Sequence, residues 1–460
     1  MMTAILGGLV ILGIWLLPRR TPRPHIPGLS PHSPALGNLP DIAACGSFQR
    51  FLTKHHQTYG AIFSFWYGQL PAISLSDPKY NACIAGLLTH HLAQSEVFAS
   101  FLTAKFMGGT NGSEWKRRRR MHWDMAFSPK VVSGRLQEVN ESVAGVCKEW
   151  GEIADSGEAF EARSFFFKFA IEALFRFAFG VIITPSEKDR VFNATYEFWN
   201  HLEKKLHGTA TPQELELLDS GCASIRAICE ELIAQRRQHP GSEDLFIDFV
   251  LGDKDPDVVY SEIASALMGG THATSLLLAW CIYYLARYPE QQTRIFEQLQ
   301  SFKGVVDATV ASTVSVISEF IDESLRMSLL TTFVQRFNDG PDILLPDGYV
   351  IPSGTLVMLN AETLLWSSAY FPNPCEFNPA RFSDPECRKQ SLFFPFSFPG
   401  GRSCPGRWVA QAEVSACLAT LVRNFHISFD PKQKFPVGTV ASFFTSPKES
   451  IFIQLKRRDT

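Results

Sequence analysis

The sequence predicts a mainly α-helical body with a small β portion, preceded by one N-terminal transmembrane helix. Three observations predict it. Residues 1–17 carry no charged side chain and are mostly apolar. Residues 258–286 form a second long apolar run, interrupted only by Gly269-Gly270. Phe63 to Tyr67 and Ala72 to Ser76 bracket Gly68 as two short aromatic and aliphatic runs, the pattern of a hairpin.

The body is expected to be large and single. The chain has 460 residues, 45% hydrophobic, without a Gly/Ser linker, a repeat or a low-complexity segment. That supports an anchor over 1–17, a proline-rich hinge over 18–40 and one catalytic domain over 41–460. A net charge of −3 gives no bulk attraction to nucleic acid, so no nucleic-acid partner is expected. The ten cysteines are scattered with no Cys-x-x-Cys, against a disulfide scaffold or a zinc site. The body should face a reducing compartment. The 38 phenylalanines give an interior able to hold a greasy ligand.

The anchor is at the short end for a spanning helix. Arg19, Arg20 and Arg23 follow it and place that side in the cytosol. A secretory signal has positive charge before its apolar core and small residues after it. Neither is present, so the segment reads as an uncleaved single-pass anchor suited to a thin membrane such as the endoplasmic reticulum. Pro18, Pro22, Pro24, Pro27, Pro31, Pro34 and Pro40 then predict a stiff, extended hinge.

Further along, Trp115 and Arg119 are four apart and share a helix face, where an indole N–H and a guanidinium can hold a carboxylate. The basic run Lys116 to Arg120 reads as solvated and able to dock an acidic partner. Residues 134–240 are largely helical, with Phe165, Phe166, Phe169 and Phe175 among many apolar positions at spacings of three and four. The glycine pair in 258–286 costs a helix about 1 kcal/mol per residue against alanine, tolerable where a flat ligand lies against the backbone. Glu323 and Arg326 lie about one turn apart on one helical face. Arg381 sits in Pro379-Ala-Arg381-Phe382. Phe425 to Phe429 and Ser450 to Leu455 read as closing strands, with Phe443-Phe444 between them as a pocket wall.

The chain is organised around Phe393-Phe-Pro-Phe396-Ser397-Phe398-Pro-Gly400-Gly401-Arg402-Ser-Cys404-Pro-Gly406-Arg407. Glycines let backbone N–H groups approach closely. Those groups and the helix start beyond favour a thiolate over a thiol at Cys404. A low-pKa cysteine in an aromatic pocket suits a metal cofactor.

This stretch resembles the cysteine-ligand loop of the cytochrome P450 family, with its usual string Phe-x-x-Gly-x-Arg-x-Cys-x-Gly. Gly400, Arg402, Cys404 and Gly406 match, and Ser397 stands in the phenylalanine slot. The resemblance extends from hinge to last strand. It implies the cytochrome P450 fold and haem b (iron protoporphyrin IX) bound through the Cys404 thiolate, the axial ligand of its iron. Trp115 and Arg119 would grip a haem propionate, and Arg402, Gly400 and Gly406 of the loop would be cofactor-binding residues with them. Gly269 and Gly270 match the central helix that lies over haem. In that register His272 replaces the family's acid and Ala273 its threonine. A one-residue shift instead puts Thr274 in the oxygen-activating slot and Ala273 in the acid slot. Thr274 and His272 are the candidate catalytic residues. Glu323, Arg326 and Arg381 would form a buried structural cluster supporting the loop.

The resemblance implies a monooxygenase that inserts one oxygen atom of O2 into a hydrophobic small molecule. Lipids, sterols and terpenoid-like compounds, including those of secondary metabolism, fit. Electrons would come from NADPH–cytochrome P450 reductase, since nothing here reads as a flavin or nicotinamide motif. The altered central helix keeps a second reading open, a haem-thiolate isomerase or dehydratase needing no external electrons.

Overall fold

A computed structural model describes residues 26–459 apart from 88, 91–102, 104, 207–209, 242–243, 304–305, 390–391, 399 and 442–443. The expected anchor, the first part of the hinge and Phe443 lie outside the described residues.

The remainder of the expected hinge is docked rather than free. Leu29 N–H donates to the Ser64 carbonyl at 2.9 Å, and Asn38, fully buried, accepts from Trp66 N–H at 2.8 Å. Prolines strip donors from 26–40, but the Leu29 and Asn38 N–H groups pair with the neighbouring strand, and those of His32, Leu36 and Gly37 pair within the segment. The segment therefore belongs to the body.

Helix α1 (Phe48–Tyr59) starts where Ser47 accepts from Arg50 N–H. Strands β1 (Ile62–Tyr67) and β2 (Leu70–Leu75) form the expected hairpin, with Tyr67 opposite Leu70. Gly68 turns it with φ +57°, a left-handed value that costs glycine little. Helix α2 (Gly112–Arg118) widens into a π-turn, Arg119–Trp123. Then come α3 (Leu136–Ser156), β3 (Phe160–Glu161), α4 (Ala162–Leu174), α5 (Pro185–Leu206) and α6 (Pro212–Gln238). A reciprocal cap between Thr211 and Glu214 opens α6.

Helix α7 (Pro256–Arg287) is the axis of the molecule, about 48 Å long at the usual rise. By length and composition it could cross a membrane, yet 78% of its most apolar window is buried inside the protein. It is apolar all round because α4, α6 and others pack around it. Helix α8 (Ser315–Ser328) leads to β4 (Phe333–Asn338), β5 (Ile343–Leu344), β6 (Val350–Ile351) and β7 (Thr355–Asn360). Helix α9 (Arg407–Asn424) follows the cysteine loop and packs on α7 and α3. The chain closes with β8 (Phe425–Phe429), β9 (Thr439–Ala441), β10 (Thr445–Pro447) and β11 (Phe452–Arg457).

One sheet has the order β1-β2-β7-β4, with β2 and β7 parallel and the other pairs antiparallel. A second runs β3-β11-β8. The fold is thus mainly helical with a small sheet portion. A large core gathers around α7, and a smaller one holds Phe51, Phe63, Phe65, Leu356 and Met358.

Candidate functional site

The cysteine loop is closed by its own backbone. Cys404 N–H donates to the Phe396 carbonyl at 2.9 Å, and Ser403 N–H to Gly400 at 3.0 Å. Phe393, Phe394 and Phe398 are buried and hold the loop to the core. Ser397 adopts φ +69°, a left-handed value costly for a bulky residue. Its hydroxyl accepts from Arg336 Nη2 at 3.1 Å. A small polar residue in the expected phenylalanine slot therefore has a conformational reason and a bonding reason.

Cys404 lies deep in the fold, ringed by protein, and yet its surface is accessible. Those two facts agree when the thiol borders an internal opening. Burial pushes the thiol above its ordinary range, and this is the largest influence. The Gly406 and Arg407 amides and the Arg119 and Arg407 guanidiniums pull it down without winning. The expectation of a thiolate set by the loop alone is therefore corrected. A cation at the sulfur would supply the missing stabilisation, because a coordinating thiol is deprotonated outright. Among the described residues no three His, Cys, Asp or Glu side chains are grouped to hold a metal ion. A metal at Cys404 must bring most of its ligands with it.

On α7, every residue from Val258 to Ile282 is buried except Ser265, Gly269, Gly270 and Ala273. Ser265, Gly269 and Ala273 are four apart and form one stripe. A Cβ added at Gly269 would meet no atom within 4 Å. The accessible stripe is small and carries no acid.

His272 and Thr274 flank that stripe. Thr274 is buried, and its hydroxyl has no hydrogen-bond partner among the described residues. The hydroxyls of Thr271 and Ser275 bond back to the carbonyls of Leu267 and His272. His272 stacks on Trp199 of α5 with ring centroids 4.5 Å apart, edged by Phe167 and Phe444. Neither ring nitrogen has a partner among the described residues. Burial, then Arg163, hold its pKa well below the ordinary 6.5.

Cations gather beside the loop. The Arg402 guanidinium lies 4.0 Å over the Trp115 ring and bonds the Thr110 carbonyl and Asn111 Oδ1 at 2.7 and 2.8 Å. Arg119 donates to the Ser403 carbonyl at 2.6 Å and to Asp124 at 2.7 Å. Sequence reasoning assigned no role to Arg336 or His90. Arg336 is buried, and its partners are neutral: the Gln335 carbonyl, Ser397 and His90. Burial lowers its pKa to about 10. His90 is held neutral, near 3, by burial and then by Arg336 and Arg402. A signal existed: β4 alternates, and its inward positions are Val334, Arg336 and Asn338. An arginine on the inward parity of a strand requires an anion.

The fit to a flat, metal-bearing dianion is therefore good. One thiol could serve as the metal donor, a small-residue stripe leaves room for a ring, and a buried guanidinium without a carboxylate among the described residues suits acid groups.

The expected basic run needs correction at one position. Arg118 is fully buried and paired with Glu262, also fully buried, at 2.5 Å. It lies three residues after Trp115 and shares that inward face. Lys116, Arg119 and Arg120 instead border a cleft of about 420 Å³ against Gly400 and Gly401, separate from the Cys404 thiol.

Glu323 is brought together with both arginines. It accepts from Arg326 Nε and Nη2 at 2.8 Å, from Arg381 Nε at 3.1 Å and from Asn378 N–H at 2.8 Å.

The family profile described as Cytochrome P450 matches residues 27–454. The chain belongs to the cytochrome P450 family. It is similar to cytochrome P450 20A1 of Bos taurus, 23% identical over 97% of this chain and 96% of that one. It is also similar to cytochrome P450 4F2 of Homo sapiens, 26% identical over 84% and 82% of the two chains. Cytochrome P450 27C1 of Danio rerio is 24% identical over 82% and 77%. As a cytochrome P450 the chain is a haem-thiolate monooxygenase, binding haem through a cysteine thiolate. The family works with O2, a redox partner and hydrophobic substrates.

Proposed function

We propose that Cys404 is the haem ligand, and that this cytochrome P450 oxygenates a lipid, sterol or terpenoid-like molecule with electrons from NADPH–cytochrome P450 reductase. Residues 1–17 anchor it in the endoplasmic reticulum membrane, with the body cytosolic. The observation that carries the reading is a single thiol that is enclosed by protein and accessible at once, beside the buried, carboxylate-free Arg336.

The cofactor, when bound, supplies a thiolate-ligated iron that activates oxygen. The chain's residues do the rest. The Gly406 and Arg407 amides and Arg119 stabilise negative charge at Cys404. Arg336 and Arg402, with Trp115 under Arg402, are the cations that would hold the cofactor's acid groups. Gly269 would leave room for the ring beside α7, Gly270 lets α7 approach α4, and Gly400 shapes the loop. Glu323, Arg326 and Arg381 clip the preceding segment to α8. Thr274 is the hydroxyl free to hand on a proton, and neutral His272 beside it donates or accepts at a ring nitrogen. Phe444 and Trp199 give the substrate an apolar wall. Lys116, Arg119 and Arg120 present positive charge to an acidic reductase.

The acid-free stripe of Ser265, Gly269 and Ala273 favours a second reading, an isomerase or dehydratase without external electrons. One set of measurements separates the two. The reduced, CO-treated wild type should show the red-shifted band of a haem-thiolate, and Cys404→Ala should lack it. Product formation that depends strictly on NADPH and reductase supports the monooxygenase; turnover without either overturns it.

A further inference from the structure

We propose that Glu262 and Arg118 form a buried strut that orients Arg402 through Thr110, making both of them positioning residues for the cofactor's acid groups. The proposal rests on the haem reading of the site. Glu262 sits on α7 and Arg118 on α2, and neither is exposed. Arg118 Nε donates to Glu262 Oε1 and Trp123 Nε1 to Oε2, each at 2.5 Å, so both carboxylate oxygens are engaged. Arg118 Nη1 points elsewhere and donates to the Thr110 hydroxyl at 3.0 Å. That hydroxyl donates to the Phe106 carbonyl at 2.9 Å, and the carbonyl of Thr110 accepts from Arg402 at 2.7 Å. A continuous path thus joins the central helix to the loop arginine two residues before Cys404.

The path matters because the Thr110 region lacks regular structure of its own. Residues 105–110 are turns and irregular backbone. Asn111 is tied to both backbone groups of His90, at 3.0 and 2.9 Å. Arg118 ties the other end. Arg402 takes bonds from this segment and from the Trp115 face, while Arg336 and Arg119 repel it. Where Thr110 is held therefore helps to set its direction. A buried ion pair is poor evidence for stability in itself, but it is well suited to fixing the register of two helices.

Thr110→Val removes the hydroxyl and keeps the branched shape. We expect the purified holoenzyme of this variant to lose haem to excess apomyoglobin about tenfold faster, equivalent to about 1.4 kcal/mol. Its reduction potential should move to a more negative value, because the acid groups lose a cation. Thr110→Ser should restore both. In an Arg402→Lys background, Thr110→Val should add little, since coupled residues are not additive. Arg118→Lys keeps the charge without the fork and should reproduce the fast release if Thr110→Val does not fold. Native release and potential in Thr110→Val, or full additivity with Arg402→Lys, overturns the strut. Absence of a thiolate-haem band from the wild type would instead remove the haem reading beneath it.

Discussion

Replacing Glu323 tests how the cysteine loop is supported. Its carboxylate takes four hydrogen bonds, two from Arg326, one from Arg381 and one from the Asn378 amide. Glu323 and Arg326 are fully buried. The arginines also hold the chain by its carbonyls, Arg326 at Leu365, Pro374 and Glu376, and Arg381 at Pro372 and Glu376. Glu323→Gln keeps the shape but leaves two buried guanidiniums without a counter-charge. Breaking a buried pair in this way costs about 3–5 kcal/mol. That is a large part of the roughly 5–15 kcal/mol that holds a typical fold. Glu323→Leu with Arg326→Met removes the acid and one of its two cations, leaving only Arg381 without a counter-charge, and should cost less than the sum of the two single changes. The measurement is the urea midpoint, compared at matched slopes, followed by circular dichroism and by the haem band. The thiolate-specific CO band should fade before the helical signal, because residues 372–381 lead into the loop of Cys404. A cost for Glu323→Gln below about 1 kcal/mol, or additivity of the two single changes, would refute the reasoning.

The glycine pair and a buried acid give two further outcomes. Gly269→Ala should stabilise the helix by about 1 kcal/mol, since the new methyl meets nothing, and should lower haem content per chain. Gly270→Ala meets Leu174 Cδ1 at 3.0 Å, so its helix gain should be offset by that contact, with haem content unchanged. Equal haem content in both variants would sink the assignment of the stripe. Burial raises the Glu413 carboxyl on α9 from 4.5 to about 8. The folded chain keeps a proton that the unfolded chain releases, so this group's contribution to stability is greatest below pH 4.5 and is lost as pH climbs to about 8. The fall from this group is at most roughly 5 kcal/mol. Glu413→Gln should flatten the decline in melting temperature between pH 5.5 and 9; an unchanged slope would count against it.

The sequence made legible what depends on local order. Gly68 marked the hairpin, the long apolar run marked α7, and the spacings of Glu323, Arg326, Arg381 and Cys404 marked the supports of the loop. Less legible was whatever depends on which face looks inward. Lys116 to Arg120 has the composition of a solvated run, and only the packing of α2 on α7 buries Arg118 alone among them. Ser397 read as a mismatch because its left-handed backbone and its bond to Arg336 are tertiary facts. The thiol of Cys404 was expected to ionise from nearby donors, but the desolvation that outweighs them comes from the whole surrounding body.

The central helix shows the same limit most sharply. An α7 apolar all round has no polar face to reveal its orientation, so two registers at 269–274 read almost equally well. The stripe of Ser265, Gly269 and Ala273 separates them, since a face repeats at four residues and Thr274 lies about 100° round from Ala273. Ala273 then shares the accessible face with Gly269, and Thr274 does not. That favours the register with His272 in the acid slot. There the side chain differs from an acid in kind: a neutral imidazole stacked on Trp199, carrying one N–H and one lone pair without a partner. A carboxylate in that slot would carry charge at neutral pH; this imidazole does not. Within Thr271 to Ser275, two of the three hydroxyls are spent on the helix's own carbonyls. On the proposed function, proton supply from this helix would fall to Thr274, with His272 as its uncharged neighbour.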